Sequence, residues 1–194
     1  MKMKILILSS SPRKKGNTNT IVSWCAESAT DAGAEVECVD IARLKYKSNG
    51  CSSCYSCQES DKYECAVKDD ANIILERMND FDVVVFSTPV YMFGPSAQLK
   101  LLLDRTYSLM KFDDETDDII LKSTGQVIGL IATAGGGIDD GLNITDQIFK
   151  SLASYIGSKY LSLMVPEAPS DAKDLEEKTE LKHKAAEFGR VLAG

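Results

Sequence analysis

Four cysteines stand at C-x2-C-x2-C-x7-C spacing, Cys51, Cys54, Cys57 and Cys65, opening in the polar run 49–57. Two-residue gaps let neighbouring thiolates turn onto one centre. Iron–sulfur clusters are held by four thiolates, often in runs of this kind. Four thiolates also hold zinc tetrahedrally, although structural zinc sites more often pair two C-x2–4-C knuckles far apart. A set of free thiols in a loop is the third reading, and spacing leaves all three open. Cys25 and Cys38 read as small core hydrophobes on a helix and a strand.

The bulk properties bound what such a centre serves. The 194 residues suit one domain, 1–194, with its own core and a cysteine-rich loop at 49–66. A net charge of −7 excludes broad binding to nucleic acid or an anionic membrane, which needs a basic face. No segment has the length of a membrane span. The N-terminal run 1–8 is too short for a signal peptide and leads into Ser11-Pro12-Arg13-Lys14-Lys15, so a cytoplasmic protein is expected. Six cysteines there point to metal or redox chemistry rather than disulfides.

Hydrophobic periodicity alternates throughout. Strands are expected over 4–8, 36–41, 83–87, 126–132 and 160–165. Helices are expected over 18–32, 69–78 (Ile73, Ile74 and Met78 inward), 96–109, 141–155 and 171–192. The acidic run 113–118 reads as a solvated loop. This is an α/β pattern, and five strands suit a parallel sheet of order 2-1-3-4-5. Ligands of such sheets bind beyond the carboxyl ends of the strands.

Three segments leave strands at that edge. Ser9-Ser10-Ser11-Pro12-Arg13 with Gly16-Asn17-Thr18 puts hydroxyls, a glycine and free N–H groups at a helix N-terminus, which favours a phosphate. A polar turn capped by Asn17 or Thr18 explains only one or two of these residues. Pro89-Val90-Tyr91-Met92-Phe93 reads either as a cover for a flat ring or as a Pro-rich turn packed on the protein itself. Thr133-Ala134-Gly135-Gly136 allows close backbone approach, or is a flexible turn. Together they describe a mononucleotide with a planar heterocycle, which fits FMN. ATP fits less well, since nothing obvious would hold Mg²⁺ and two further phosphates. The single histidine, His183, sits between Lys182 and Lys184 and reads as solvated, which weakens any Ser-His-Asp hydrolase. Trp24 reads as packed on the sheet, and Asp69-Asp70 as a helix start where carboxylates meet the positive dipole end.

The ordered set of Ser9 to Arg13, Gly16-Asn17-Thr18, Cys65-x3-Asp69-Asp70, Thr88-Pro89-Val90-Tyr91 and Lys100-x3-Asp104-Arg105 resembles the flavodoxin-like NAD(P)H-dependent FMN reductase superfamily, closest to its iron–sulfur flavoprotein branch. The likeness covers nearly the whole chain. It implies a flavodoxin-like three-layer sandwich. Ser9, Ser11, Arg13, Asn17 and Thr18 would hold the FMN phosphate, Pro89 to Phe93 would line the ring, and Thr133 to Gly136 would lie at its other edge. It further implies a [4Fe-4S] cluster on Cys51, Cys54, Cys57 and Cys65, and homodimers or homotetramers. Ser10 stands where family loops usually have glycine; its Cβ is expected to alter the turn slightly without abolishing phosphate binding. The function expected is an FMN oxidoreductase, the flavin reduced by NAD(P)H or by single electrons through a cluster, and exchanging electrons with a small-molecule or protein partner. A non-enzymatic electron carrier and a zinc-stapled regulator are the rival functions.

Overall fold

The computed structural model describes residues 2–113, 115–116 and 118–194. Its apolar runs form five parallel strands: β1 (Lys4–Ser9), β2 (Glu35–Asp40), β3 (Val83–Tyr91), β4 (Val127–Thr133) and β5 (Lys159–Val165). Their order is 2-1-3-4-5, as expected of a flavodoxin-like sheet. Register pairs Ser9 with Asp40 and Ser87, Pro89 with Thr133, and Thr133 with Val165, so the carboxyl ends of all five strands reach one edge together.

Side chains alternate between the two faces. Ile5, Ile7, Val83, Val85 and Ile131 face α1 (Asn17–Asp31) and the last helix, Thr179–Ala193, through Ile21, Cys25, Phe188 and Leu192. Leu6, Leu8, Val84, Phe86 and Leu130 face α2 (Asp70–Met78), α3 (Ala97–Leu103) and α4 (Asn143–Tyr155) through Leu75, Leu99 and Phe149. The Phe86 and Phe149 rings meet at 5.1 Å. The last helix, α5, crosses α1 closely: a Cβ on Gly189 would lie 2.2 Å from the Cys25 carbonyl oxygen. Trp24 is partly buried against this same cluster, with Lys182 of α5 over its ring at 5.8 Å. Burial pushes the Cys25 thiol up to about 12, with Cys38 adding to the shift.

Several sequence expectations are corrected. Ile73 is 56% exposed; the inward positions of α2 are Ala71, Ile74, Leu75 and Met78, a strict i, i+3, i+4, i+7 stripe. Cys38 is exposed, because β2 is the edge strand and pairs with β1 alone. The segment 171–192 is not one helix. A short turn, Lys173–Glu176, buries Leu175, and Lys178 leaves helical backbone (ψ 73°) before α5 starts. The segment 96–109 tightens into a 3₁₀ turn at Asp104–Leu109 after α3. Periodicity also did not reveal an antiparallel hairpin, Met110–Phe112 with Ile119–Leu121; in its connection the described residues Glu115, Thr116 and Asp118 of the acidic run are exposed, as expected of a solvated loop. Asp114, Asp117 and Met1 lie outside the described residues. Gly189→Ala is expected to overpack the α1–α5 crossing and cost about 1–3 kcal/mol in urea denaturation; an unshifted midpoint contradicts that crossing.

Candidate functional site

At the shared strand edge, a concavity of about 180 Å³ opens between the loops after β1, β3, β4 and β5. It is lined by Ser11, Arg13, Asn17, Thr18, Pro89, Val90, Tyr91, Thr133, Ala134 and Gly135, all singled out from sequence. Gly16, Ala168, Pro169 and Ser170 complete it. The last three were missed, though the strand-edge rule that found the other loops applies equally after β5.

The local sequence explains the shape. Gly16 is the N-cap of α1 and supplies no side-chain cap, so the first-turn N–H groups are left for an outside acceptor. A Cβ there would sit 3.0 Å from Arg13 Cβ, so the glycine also permits the tight turn. Asn17 Nδ2 donates to the Pro169 carbonyl at 2.6 Å, and Arg13 Nη2 to the Ser170 carbonyl at 3.2 Å, which latches α1 to the loop after β5. The Asn17 Oδ1 is buried without a partner. The Thr18 and Thr133 hydroxyls lie 2.8 Å apart and join α1 to β4. Ser10, in the usual glycine place, is wholly buried. Its Oγ donates to the Ser87 carbonyl at 2.8 Å and lies 2.9 Å from the Ser96 Oγ. Ser96 in turn caps α3. The Ser10 Cβ therefore does more than alter a turn: its hydroxyl ties β1, β3 and α3 together.

Four residues singled out from sequence do not line the concavity. Ser9 turns its hydroxyl to Asn19, whose amide donates to the Arg13 and Lys14 carbonyls at 3.0 and 3.2 Å. Gly136 sits under Asp140, where a Cβ would lie 2.5 Å from Oδ2. Met92 and Phe93 form the two-residue turn between β3 and the short antiparallel pair Gly94–Pro95, and are 92% and 56% exposed. Both have left-handed backbone (φ 47° and 66°), a conformation non-glycine residues adopt at a cost of order 1–3 kcal/mol each. This turn rests on Gly141, where a Cβ would lie 2.5 Å from Phe93 Cα.

A second cavity, about 410 Å³, is bordered by Cys51, Cys54, Cys57 and Cys65. All four cysteines reach it, but among the described residues no three Cys, His, Asp or Glu side chains converge as a ready-made metal site. Hydrogen bonds from Ser56 hold the Cys54 thiol below its ordinary range. Burial pushes Cys57 up, against Gln58 and Lys111. The loop is stapled at both ends. Asp69 caps α2 by accepting from Asn72 N at 3.1 Å, and its Oδ2 accepts from Lys47 N at 2.9 Å and Arg105 Nη1 at 2.8 Å. Asp70 accepts from Lys45 N at 2.9 Å. On the outer side, Lys111 of the hairpin binds the Cys57 and Ser60 carbonyls. Gln58 Nε2 donates to the Met110 carbonyl at 3.1 Å. Burial pushes the Asp69 carboxyl up, but Arg105 and the two N–H groups outweigh it and hold it below the carboxylate range. Sequence reading treated Asp69 as a helix start and left Arg105 without a role; their pairing across 36 residues has no local signal. A shallow groove shares Tyr91 with the first concavity and Asp104 with the second.

The model of the NADPH-dependent FMN reductase family matches residues 3–168. An iron-sulfur flavoprotein of Methanosarcina thermophila is 32% identical over 145 residues, covering 75% of this chain and 70% of that protein. Another, from Methanocaldococcus jannaschii, is 37% identical over 107 residues, covering 55% of this chain and 53% of that protein, so the chain spans about half its length. Among solved structures, an NAD(P)H:quinone oxidoreductase from Methanothermobacter marburgensis has a TM-score of 0.73 at 18% identity, covering 98% of both chains. An FMN-dependent NADH-azoreductase from Bacillus anthracis has 0.72 at 15%, covering 98% of this chain and 100% of that one. At these identities the two structures show a shared fold.

The Asp69–Arg105 pair has no exposed side-chain surface. Because Asp69 titrates below its unfolded value in the folded state, its stabilisation is complete above about pH 4 and lost as pH falls through the folded pKa. Asp69→Asn is expected to cost about 3–5 kcal/mol at neutral pH, with the gap from the parent narrowing in acid. A gap that stays constant down to about pH 2 contradicts an ionised, paired Asp69.

Proposed function

The chain belongs to the NADPH-dependent FMN reductase family, in its iron-sulfur flavoprotein branch, and from that premise we propose that it is an FMN-dependent oxidoreductase. Its electrons come from NAD(P)H or a ferredoxin-type donor and pass to a small molecule or protein partner. The observation that carries this reading is the open N-terminus of α1, with Gly16 lacking a cap and Asn17 Oδ1 orphaned, in a concavity shared by the loops after β1, β3 and β4.

That concavity fits a phosphomonoester. First-turn N–H groups and the positive helix end favour a dianion. Ser11, Asn17 and Thr18 bring hydroxyl and amide groups to the same place, and Arg13 supplies a cation. Pro89, Val90 and Tyr91, with Thr133, Ala134 and Gly135, offer the walls toward which a flavin would extend. Ser9 acts through Asn19, which fixes the Arg13 and Lys14 carbonyls. When bound, FMN supplies the redox chemistry and the protein supplies orientation and electrostatics. Met92 and Phe93 stand apolar and exposed beside this site, and the assembly proposed is a homodimer or homotetramer in which a second copy covers them.

The cysteine cavity fits a [4Fe-4S] cluster by donor set. Four thiols border it, and Arg105 and Lys111 supply positive charge beside an anionic group in a chain of net charge −7. When bound, such a cluster supplies one-electron transfer. Cys51, Cys54, Cys57 and Cys65 are the ligands proposed.

Protein purified without oxygen is expected to contain FMN, iron and sulfide. Cys54→Ala is expected to lose iron and sulfide while keeping FMN; unchanged iron contradicts the cluster assignment. Asn17→Ala with Thr18→Ala removes two hydrogen-bonding side chains from the phosphate seat and is expected to weaken FMN binding roughly tenfold or more. Unaltered affinity places the phosphate elsewhere.

A further inference from the structure

Arg105 is 1% exposed and lines the cysteine cavity. Its guanidinium uses Nη1 on Asp69 Oδ2 at 2.8 Å and Nη2 on the Val67 carbonyl at 2.9 Å. Of the N–H groups that remain, Nε–H is buried and has no partner. A buried, unpaired N–H on a charged group is costly, and folded proteins rarely leave one without a ligand, ion or water to complete it. The guanidinium lies beside Cys65, and among the described residues lining the cavity Arg105 is the only cation. Lys111, the other nearby cation, donates to the Cys57 and Ser60 carbonyls and does not line the cavity. Arg105 is thus held from two sides with its buried Nε–H unpaired at the wall of a four-thiol cavity.

We propose that Arg105 is a positioning residue for the iron–sulfur centre: its Nε–H donates to a sulfur at the Cys65 corner, fixing that corner and raising the reduction potential. This rests on the reading that the four cysteines hold a cluster. A thiolate-ligated cluster is anionic, and gaining an electron makes it more so. A fixed cationic donor therefore favours the reduced state, as hydrogen bonds to cluster sulfurs do generally. Because Asp69 and Val67 already orient the guanidinium, little reorganisation is needed when charge develops.

The test compares the anaerobically reconstituted parent with Arg105→Lys. Lysine keeps the charge opposite Asp69 but has a methylene where Nε stands. Iron and sulfide are expected to stay near parental content. The midpoint potential of the iron–sulfur chromophore is expected to fall by about 59 mV, equivalent to a tenfold change in a one-electron equilibrium. In parent protein labelled with ¹⁵N-arginine, pulsed electron paramagnetic resonance of the reduced centre is expected to show a nitrogen coupling that Arg105→Lys lacks. Full iron content with an unchanged potential and no arginine coupling overturns the role of Arg105 and leaves the cluster reading standing. Neither iron nor sulfide in the parent overturns both. Should Arg105→Lys fail to fold, the labelled parent decides alone: absence of the coupling overturns the proposal.

Discussion

Because β1 pairs with both β2 and β3, the chain runs from β1 to β2 through α1 in one direction along the sheet, and from β3 to β4 through α3 in the other. The two connections diverge to opposite faces of the sheet. The gap between them is the crevice where α/β sheets take ligands. Everything at the candidate flavin site follows from that divergence. It aims the N-terminus of α1 across the strand edge, and it leaves the Ser9 and Ser87 ends side by side in register. Ser10 then locks the crevice floor, reaching the Ser87 carbonyl and the Ser96 cap of α3. The Ser10 and Ser96 hydroxyls and the Ser87 carbonyl each find a partner inside, as buried polar groups must, while the Ser87 hydroxyl does not.

The cysteine loop obeys different physics. It is inserted between β2 and α2, and its residues are mostly exposed, so the sheet's two apolar clusters hold little of it. Polar staples replace burial. Asp69, Asp70 and Arg105 fasten its ends, and Lys111 with the Tyr107–Phe112 stack, 5.4 Å between rings, supports its outer wall. Segments held this way lie at the low-stability end of a fold, where opening around a bound group is easiest.

What sequence could reveal was set by the range of the interactions involved. The five strands were legible because a parallel sheet buried on both faces needs unbroken runs such as Val83-Val84-Val85-Phe86. The loop proposed to seat a phosphate was legible as a candidate because its chemistry is contiguous, from Ser11 to Thr18. Ala168 to Ser170 were hidden because only the sheet brings them back to α1, through Asn17 and Arg13. The Asp69–Arg105 pair was hidden for the same reason. Ile73 misled because Ile73 and Ile74 are equally apolar, and only the phase of the helix decides which faces inward. Met92 and Phe93, expected from their apolar character to line a ring, stand outside the concavity. A left-handed two-residue turn instead carries both outward.

The account stands on one ligand group, a phosphate at the N-terminus of α1. Calorimetric titration of flavin-free protein with FMN and with riboflavin isolates that group, since the two ligands share the ring and the ribityl chain. FMN is expected to bind at least about a hundredfold more tightly, a difference of about 2.7 kcal/mol, and the gap should shrink as salt rises. Equal affinity for the two flavins would contradict the account.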